Sequence, residues 1–212
     1  NTKAYELINN NRETVCLSNR DSVWASNTSP WRDTSIEVLD SIANYLINKG
    51  YNVIRINLFA FKSNLVSEYF LDLSDISITP LEQFSIISKC DYCIGGHTGI
   101  SQWPRDLARI PSLFYDWATL QLGGIYSKDM ASTKLLLVND INKLKSHPLS
   151  ELITFIQVGM WSYDNCKYYG LDIKPLPIDI IKNSIDEFFE FINNSNQHVN
   201  CAYNLFKRYD LN

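Results

Sequence analysis

Long hydrophobic runs are absent from this chain of 212 residues. No apolar stretch approaches the roughly 18 residues needed to span a bilayer, and the chain does not open with the charged, then apolar pattern of a secretory signal. We therefore expect no transmembrane segment and a cytoplasmic location, with peripheral association at the inner face of the membrane still compatible with the sequence. The chain starts with Asn1 rather than Met, so we expect a fragment or a processed chain.

An excess of basic charge is also missing. The 23 acidic residues outnumber the 19 lysines and arginines, which gives a formal net charge of -4. Nucleic acids and anionic membranes need a basic face on their partners, so the charge argues against a general binder of either. A local basic pocket is still allowed.

A regular cysteine pattern is lacking as well. The five cysteines form an odd set without regular spacing, at positions 16, 90, 93, 166 and 201. A chain of this length does not need a disulfide framework, so free thiols in a reducing compartment are the simpler interpretation.

What the sequence does contain is the composition of a globular protein. Hydrophobic residues make up 45% and charged residues 20%, which is too apolar for a disordered chain. We expect a leader at residues 1–13, a Rossmann-like domain at 14–160 and a C-terminal helical segment at 161–212 that packs on it.

Short apolar runs alternate with helical patterns along most of the chain, which predicts a doubly wound, parallel α/β sheet with C-terminal helices. The predicted strands are residues 14–18, 51–56, 69–73, 91–94, 112–115 and 135–138. The predicted helices begin near residues 34, 79, 100, 148, 177 and 198. Between the last two strands, residues 116–133 are expected to form a long loop, and loops of that length are usually functional.

Two of these helices open with capping-box patterns, Thr34 with Glu37 and Thr79 with Glu82, in which the two side chains satisfy each other's free amides. Gly50 is expected to end the first helix. The residues expected to face inward are Ile36, Leu39, Ile42, Ala43 and Leu46 on the first helix, and Phe84, Ile87 and Ser88 on the second.

A glycine-rich turn, Ile94-Gly95-Gly96-His97-Thr98-Gly99-Ile100-Ser101, joins a predicted strand to a predicted helix. Glycines allow close approach of a ligand, and the free amides of a helix start favour an anion. Thr98 and Ser101 add hydroxyl donors. The spacing matches neither a P-loop nor the dinucleotide fingerprint. A tight turn with glycines for steric reasons alone stays open as the alternative.

Three arginines lie at or near strand ends: Arg20, Arg32 and Arg55. Guanidinium groups suit phosphate oxygens, which makes them candidate anion ligands. The alternative is internal pairing with Asp21, Asp33 or another carboxylate. It weighs most for Arg32 and for Arg55, because a charge inside an apolar strand needs a partner.

The three histidines and the Cys90-x-x-Cys93 pair are weaker signals. His97 in the glycine turn could donate to a phosphate or act as a base, or it could be a local hydrogen-bonding group. His147 and His198 are expected at the surface. The cysteine pair runs into a strand and lacks a clear fourth ligand for zinc, so we expect buried thiols.

Several sequence blocks in order resemble a bacterial family of glycosyltransferases, related at a distance to heptosyltransferases and to protein O-fucosyltransferases. The blocks are residues 15–22, 31–33, 50–55, 88–101, 116–120, 126–130 and 134–136. The resemblance implies the C-terminal, donor-binding domain of a GT-B enzyme that holds a nucleoside-diphosphate sugar without a bound metal or other cofactor. Residues 96–101 and Arg20 would cradle the diphosphate, while Lys128 and Asp129 would contact donor or acceptor.

The resemblance has departures that limit the catalytic assignment. Ser18 stands where relatives tend to carry a histidine, and the Gly96-His97 pair replaces small hydroxyl or polar residues. Because the base often comes from the other GT-B domain, we assign none, and Arg20 and His97 are only candidates for a catalytic role. The expected donor-binding set is Arg20, Asp21, Arg32, Arg55, Gly95, Gly96, His97, Thr98, Gly99, Ile100, Ser101, Lys128 and Asp129.

The expected partners are a nucleotide sugar, a glycan or lipid-linked acceptor, and an N-terminal GT-B domain that is missing or lies on another chain. Two other functions compete with glycosyl transfer: a non-catalytic carbohydrate- or protein-binding module on the same fold, and a GT-B-like nucleotide-sugar epimerase.

Overall fold

The computed structural model describes residues 2–20, 30–56, 61–74, 78–96, 98, 104–118, 129–159 and 161–194. A six-stranded sheet in the order β3-β2-β1-β4-β5-β6 forms its centre, and every neighbouring pair in it is parallel. Its strands are β1 (Thr14–Ser18), β2 (Asn52–Arg55), β3 (Phe70–Asp72), β4 (Tyr92–Gly95), β5 (Ser112–Trp117) and β6 (Met130–Thr133). The strand order confirms the predicted doubly wound parallel sheet.

Both faces of the sheet are covered, which explains why its strands are nearly continuous apolar runs. Successive side chains of a strand point to opposite faces. Val15 and Leu17 of β1 accordingly pack in one core cluster, whereas Cys16 packs in another on the far side.

Seven α-helices accompany the strands in the described residues. They are α1 (Thr2–Ile8), α2 (Ile36–Asn48), α3 (Pro80–Ile87), α4 (Ile141–Lys145), α5 (Leu149–Val158), α6 (Tyr163–Tyr168) and α7 (Ile178–Asn193). Helices α2 and α7 cover one face of the sheet, and α1 and α3 cover the other. None of the helices in the described part of the chain is long and apolar enough to cross a membrane.

The start of α2 differs from the prediction. Ser35, not Thr34, is the N-cap, and its hydroxyl accepts from the Val38 N–H. The predicted inward face is largely right, since Leu39, Ile42, Ala43 and Leu46 are buried. Gly50, with a φ of 98°, follows the helix end as expected.

The start of α3 is as predicted. Thr79 and Glu82 form a complete capping box around Pro80. The predicted inward face was wrong in part, because Gln83, Ile86 and Ile87 are the buried positions while Ser88 is exposed. A shift of one residue along a helix moves the buried face by 100°, and the short apolar pattern did not fix that phase.

The predicted leader contains α1. Ala4 and Leu7 of this helix are buried against the sheet. The Asn52 amide at the start of β2 donates to the Leu7 carbonyl at 2.8 Å, which ties the helix end to the sheet. Helix α1 therefore packs on the sheet through Ala4 and Leu7.

The end of the sheet also differs from the prediction. Strand β6 lies inside the predicted loop, while residues 135–138, predicted as the last strand of the parallel sheet, pair elsewhere. They form β7 (Leu135–Val138), which pairs antiparallel with β8 (Leu171–Lys174). Residues 135–174, with α4, α5 and α6, make up what we call the small lobe, which runs across the predicted boundary at residue 160.

The chain returns from the small lobe into α7, which packs on the sheet. Ile181, Ile185, Phe188 and Phe189 are buried in the larger core cluster. The predicted helix at 177–192 is thereby confirmed, whereas the one at 198–209 lies outside the described residues. Of the predicted helix at 100–109, the described part forms a single π-helical turn, Pro104–Ala108.

Candidate functional site

The strand order reverses between β1 and β4, and in open α/β sheets this point leaves a crevice at the carboxyl edge where ligands bind. Here β1 ends at Ser18 and β4 at Gly95. The Gly96 N–H donates to the Ser18 carbonyl at 2.9 Å, so a hydrogen bond joins the two segments at the ends of β1 and β4. The glycine-rich turn and the residues after β1 therefore meet at this crevice.

The segment that leads into α2 crosses the same edge. It begins with a 3-10 helix, Pro30–Arg32, and the Thr34 N–H then donates to the Arg20 carbonyl at 2.8 Å. The Asn19 amide donates to the Thr34 carbonyl at 3.3 Å. These bonds bring Arg20 and Arg32 to one place from different parts of the sequence.

A buried guanidinium group is paired with a carboxylate in this crevice, and a second guanidinium group lies nearby. Arg20 is buried, and its Nε lies 3.3 Å from the Asp33 Oδ1. Burial and the positive charge of Arg20 lower the pKa of Arg32, and the Asp33 carboxylate offsets this only in part. Burial is the larger of the two causes, so the lowered pKa shows mainly that the Arg32 guanidinium is partly removed from water near Arg20.

Gly96 lies close to residues of the crevice, but it leaves room for a small side chain. A Cβ at this position would lie 3.4 Å from the Thr34 hydroxyl oxygen and 3.7 Å from the Asn19 Cα. The Thr98 N–H donates back to the Gly96 carbonyl at 2.8 Å, which makes a tight turn. A Cβ would be tolerated at these distances, so steric exclusion of a side chain does not by itself explain the glycine.

Arg55 does not face this crevice as a free cation. It ends β2 and is completely buried, with its Nη1 2.9 Å from the Asp72 Oδ2 and donating to the Phe61 carbonyl at 2.5 Å. The internal-pairing interpretation describes Arg55, and its place in the expected donor-binding set is corrected, because a buried, ion-paired guanidinium cannot reach a ligand without breaking the pair.

Asp129 lies at the wrong end of the sheet for a donor contact. It directly precedes β6, and its Oδ1 accepts from the N–H of Ser112, the first residue of β5, at 3.2 Å. Because the strands are parallel, this is the amino edge, opposite the crevice at Gly96. The predicted role of Asp129 at that crevice is therefore corrected.

The structure thus brings together Arg20, Arg32, Gly95, Gly96 and Thr98 at one edge. The remaining expected site residues lie outside the described part of the chain, and their roles stay predictions: Asp21, His97, Gly99, Ile100, Ser101 and Lys128.

Sequence reasoning missed a buried ion pair beside the crevice. The Lys134 Nζ contacts the Asp116 Oδ2, and both residues are buried. The Leu176 N–H donates to the other carboxylate oxygen at 2.7 Å. The signal that singled out Arg55, a charge next to apolar residues, is also present at Lys134, which precedes the apolar residues 135–138.

The cysteines behave as predicted wherever they are described. Cys16, Cys90, Cys93 and Cys166 are free and buried. Burial raises the pKa of Cys16, and the neighbouring thiols of Cys90 and Cys93 add to the effect. A high pKa keeps the thiol protonated and therefore unreactive, which fits a packing role.

Comparison with known proteins yields no matching family model and no matching curated protein. Among solved structures, the chain resembles ADP-heptose lipopolysaccharide heptosyltransferase II of E. coli, with 14% identity and a TM-score of 0.45 over 63% of this chain and 43% of the enzyme. It also resembles the dodecameric, iron-containing heptosyltransferase TibC, solved with ADP-D-beta-D-heptose, with 18% identity and a TM-score of 0.39 over 55% of this chain and 30% of that one. The chain is thus distantly similar to heptosyltransferase structures and spans less than half of their length.

Proposed function

We propose that this chain is the donor-binding half of a glycosyltransferase, and that the diphosphate of a nucleotide sugar binds in the crevice between β1 and β4. The observation that carries the proposal is the placement of Arg20 and Arg32 at the strand-order reversal, where Thr34 bonds to the Arg20 carbonyl and Arg20 pairs with Asp33. A diphosphate would supply the negative charge that this arrangement favours.

The same groups suit the chemistry of glycosyl transfer. Negative charge builds up on the diphosphate as the bond to the sugar breaks, and cations already in place stabilise that charge without reorganising. In this proposal the guanidinium groups take this role without a metal ion, with the amides of the turn after β4 as additional donors. His97, Ser101 and Lys128 are the further donor contacts that we expect from the sequence.

The acceptor would be a glycan or a lipid-linked sugar. Its general base would come from an N-terminal GT-B domain, on this polypeptide or on another, and no residue described here is assigned that role. The reaction would take place on the cytoplasmic side, where nucleotide sugars are available. Free thiols are compatible with this reducing compartment.

Nucleotide binding by variants of the crevice tests the proposal. We expect ADP, UDP, GDP or CDP to bind the wild-type chain, as measured by calorimetry and by a rise in melting temperature. Arg32→Gln should weaken binding by about 10- to 100-fold, since a hydrogen bond between charged groups contributes about 1.5–3 kcal/mol. Arg20→Gln should weaken it as strongly and also lower stability, because Asp33 loses its partner.

Arg12→Gln is the matched control, since it removes the same charge. Arg12 precedes β1 at the amino edge and lies over the Tyr69 ring at 3.5 Å. The Arg12→Gln variant should bind nucleotide as tightly as the wild type. If Arg12→Gln weakened binding as much as Arg32→Gln does, the nucleotide would be attracted by overall charge and not by a specific site. Absence of binding by all common nucleoside diphosphates would overturn the proposal, and binding of free sugars alone would point to a non-catalytic module.

An assay for conversion of a nucleotide sugar without an acceptor distinguishes a glycosyltransferase from a nucleotide-sugar epimerase. A glycosyltransferase half should leave the sugar configuration unchanged when no acceptor is present. An epimerized product under these conditions would identify an epimerase instead.

A further inference from the structure

The small lobe is an insertion between β6 and α7, so the chain crosses between sheet and lobe twice. The outward crossing is at Lys134, between Thr133 of β6 and Leu135 of β7. The return crossing is at Leu176, between β8 and α7. Contacts made at these two crossings help to fix the position of the lobe on the sheet.

One carboxylate holds both crossings. The Asp116 Oδ2 contacts the Lys134 Nζ, and the Asp116 Oδ1 accepts from the Leu176 N–H at 2.7 Å. The side chains of Asp116 and Lys134 are only 3% and 4% exposed. Because a buried charge that loses its partner is strongly unfavourable, this pair resists separation.

The backbone at Asp116 has an unusual conformation. Its φ is 57°, in the left-handed region, and the register of β5 with β6 shifts between Phe114 and Trp117. A non-glycine residue in this region is strained, although aspartate tolerates it better than most. Such a conformation persists where surrounding contacts over-determine it, and the two carboxylate contacts are of that kind.

The lobe held in this way touches the crevice. The Trp161 N–H donates to the Ala118 carbonyl, just beyond the end of β5, at 3.1 Å. The Tyr163 ring of α6 meets the Trp31 ring edge to face, with 6.2 Å between centroids. Trp31 directly precedes Arg32, so a displacement of the lobe would act on the segment that carries one of the two arginines.

We propose that Asp116 is a positioning residue that locks the small lobe against residues 30–32 and thereby sets the shape of the crevice. It acts through Lys134 and Leu176 and does not itself touch a ligand. The effect on a nucleotide rests on the proposed function, whereas the effect on the lobe does not.

Hydrogen exchange of Asp116→Asn in the full chain tests the lock. Asparagine keeps the shape, tolerates the left-handed backbone and retains an oxygen for Leu176, but it leaves Lys134 unpaired. We expect exchange in residues 161–173 to be on the order of 100-fold faster, with β1 and α2 unchanged. Faster exchange throughout the chain would overturn the proposal, because it would mean a general loss of stability.

Asp72→Asn is the matched control, since it breaks another ion pair of the sheet, between the partly buried Asp72 of β3 and the buried Arg55. This variant should speed exchange in β2 and β3 and leave residues 161–173 protected. An equal response of the small lobe to both variants would contradict a specific lock.

The double variant Asp116→Asn with Lys134→Met separates positioning from stability. Removing both charges should restore the melting temperature, because no unpaired charge remains buried, but the lobe should still exchange fast and nucleotide affinity should stay about three- to tenfold weaker. Recovery of lobe protection together with stability would overturn the proposal. If the wild-type chain binds no nucleotide, the proposed function fails, while the exchange pattern still decides the lock.

Discussion

At the scale of single residues, buried charges are the most informative feature of this chain. Arg55 pairs with Asp72 and Lys134 with Asp116, and all four lie in or directly beside the parallel sheet. The sequence predicted that Arg55 needs a partner, because its neighbours in the strand are apolar. It could not name Asp72, because the register between β2 and β3 decides which residues meet.

Asp129 shows a related limit. The family resemblance implies that Asp129 contacts donor or acceptor, but the edge of the sheet at which Asp129 lies decides whether it can reach the crevice. Residues 130–133, Met-Ala-Ser-Thr, are too short and too polar to signal a strand. Once β6 is known, Asp129 is seen to precede it, at the amino edge.

Gly96 offers a test at this scale. A Cβ there would be 3.4 Å from the Thr34 hydroxyl oxygen, which is a close but tolerable contact, whereas the two further methyl groups of valine would overpack the crevice. Gly96→Ala should keep most of the stability in urea unfolding, and Gly96→Val should lose about 1–3 kcal/mol. Valine should also abolish nucleotide binding. An alanine variant as unstable as the valine variant would show that the backbone, not the space, requires glycine.

At the scale of elements, the two predicted capping boxes had opposite outcomes. Thr79 and Glu82 bond to each other, and the box forms around the start of α3. Thr34 is held by Arg20 and Asn19, which keep the chain extended across the crevice for one more residue. Helix α2 therefore begins later, after Ser35, because tertiary bonds outweigh a local pattern.

The capping box of α3 gives a prediction with a defined pH dependence. Backbone and hydroxyl donors of Thr79 lower the pKa of Glu82 below its ordinary value of 4.5. The ionised form is thus favoured by folding, so its contribution is present above the unfolded pKa and is lost as the pH falls through the lower folded value.

We expect the stability difference between wild type and Glu82→Gln to shrink in this acidic range, as measured by urea unfolding at several pH values. Thr79→Ala should cost about 1 kcal/mol at neutral pH. A difference for Glu82→Gln that grows on acidification would contradict the assigned sign.

The strand at residues 135–138 illustrates why element patterns do not give pairing. Leu-Leu-Leu-Val is the most apolar run in this part of the chain, and it was assigned to the parallel sheet. In the structure Leu137 and Val138 are exposed, and residues 135–138 pair with β8. This pairing could not be inferred from a local pattern. The weaker sequence of β6 occupies the sheet edge instead, where few apolar contacts are needed.

At the scale of the whole molecule, α7 closes one face of the sheet from the far end of the described chain. Phe188 is fully buried among residues of β1, β4 and α2. Phe188→Ala should lower the free energy of unfolding by about 3–5 kcal/mol, because it leaves a large cavity in this core. Val66→Ala, at a side chain 96% exposed, should change it by less than about 0.5 kcal/mol. A small effect of Phe188→Ala would mean that α7 is not needed for the sheet to hold.

The fold class was predictable at this scale because it depends on the order of many elements, so single errors do not change it. The crevice was predictable in outline, since the carboxyl edge of a doubly wound sheet is defined by topology. The way the small lobe bears on that crevice was not, because it depends on contacts between residues far apart in sequence, such as Trp31 with Tyr163.

The meeting of Lys134 and Leu176 at one carboxylate has a consequence for how such a chain can change over time. A segment whose two ends lie side by side can be enlarged, exchanged or cut out at the level of the gene while the remaining strands keep their places. The small lobe is thus a segment of this protein that is open to replacement, and Asp116 contacts the two positions at which a substitute would join the sheet.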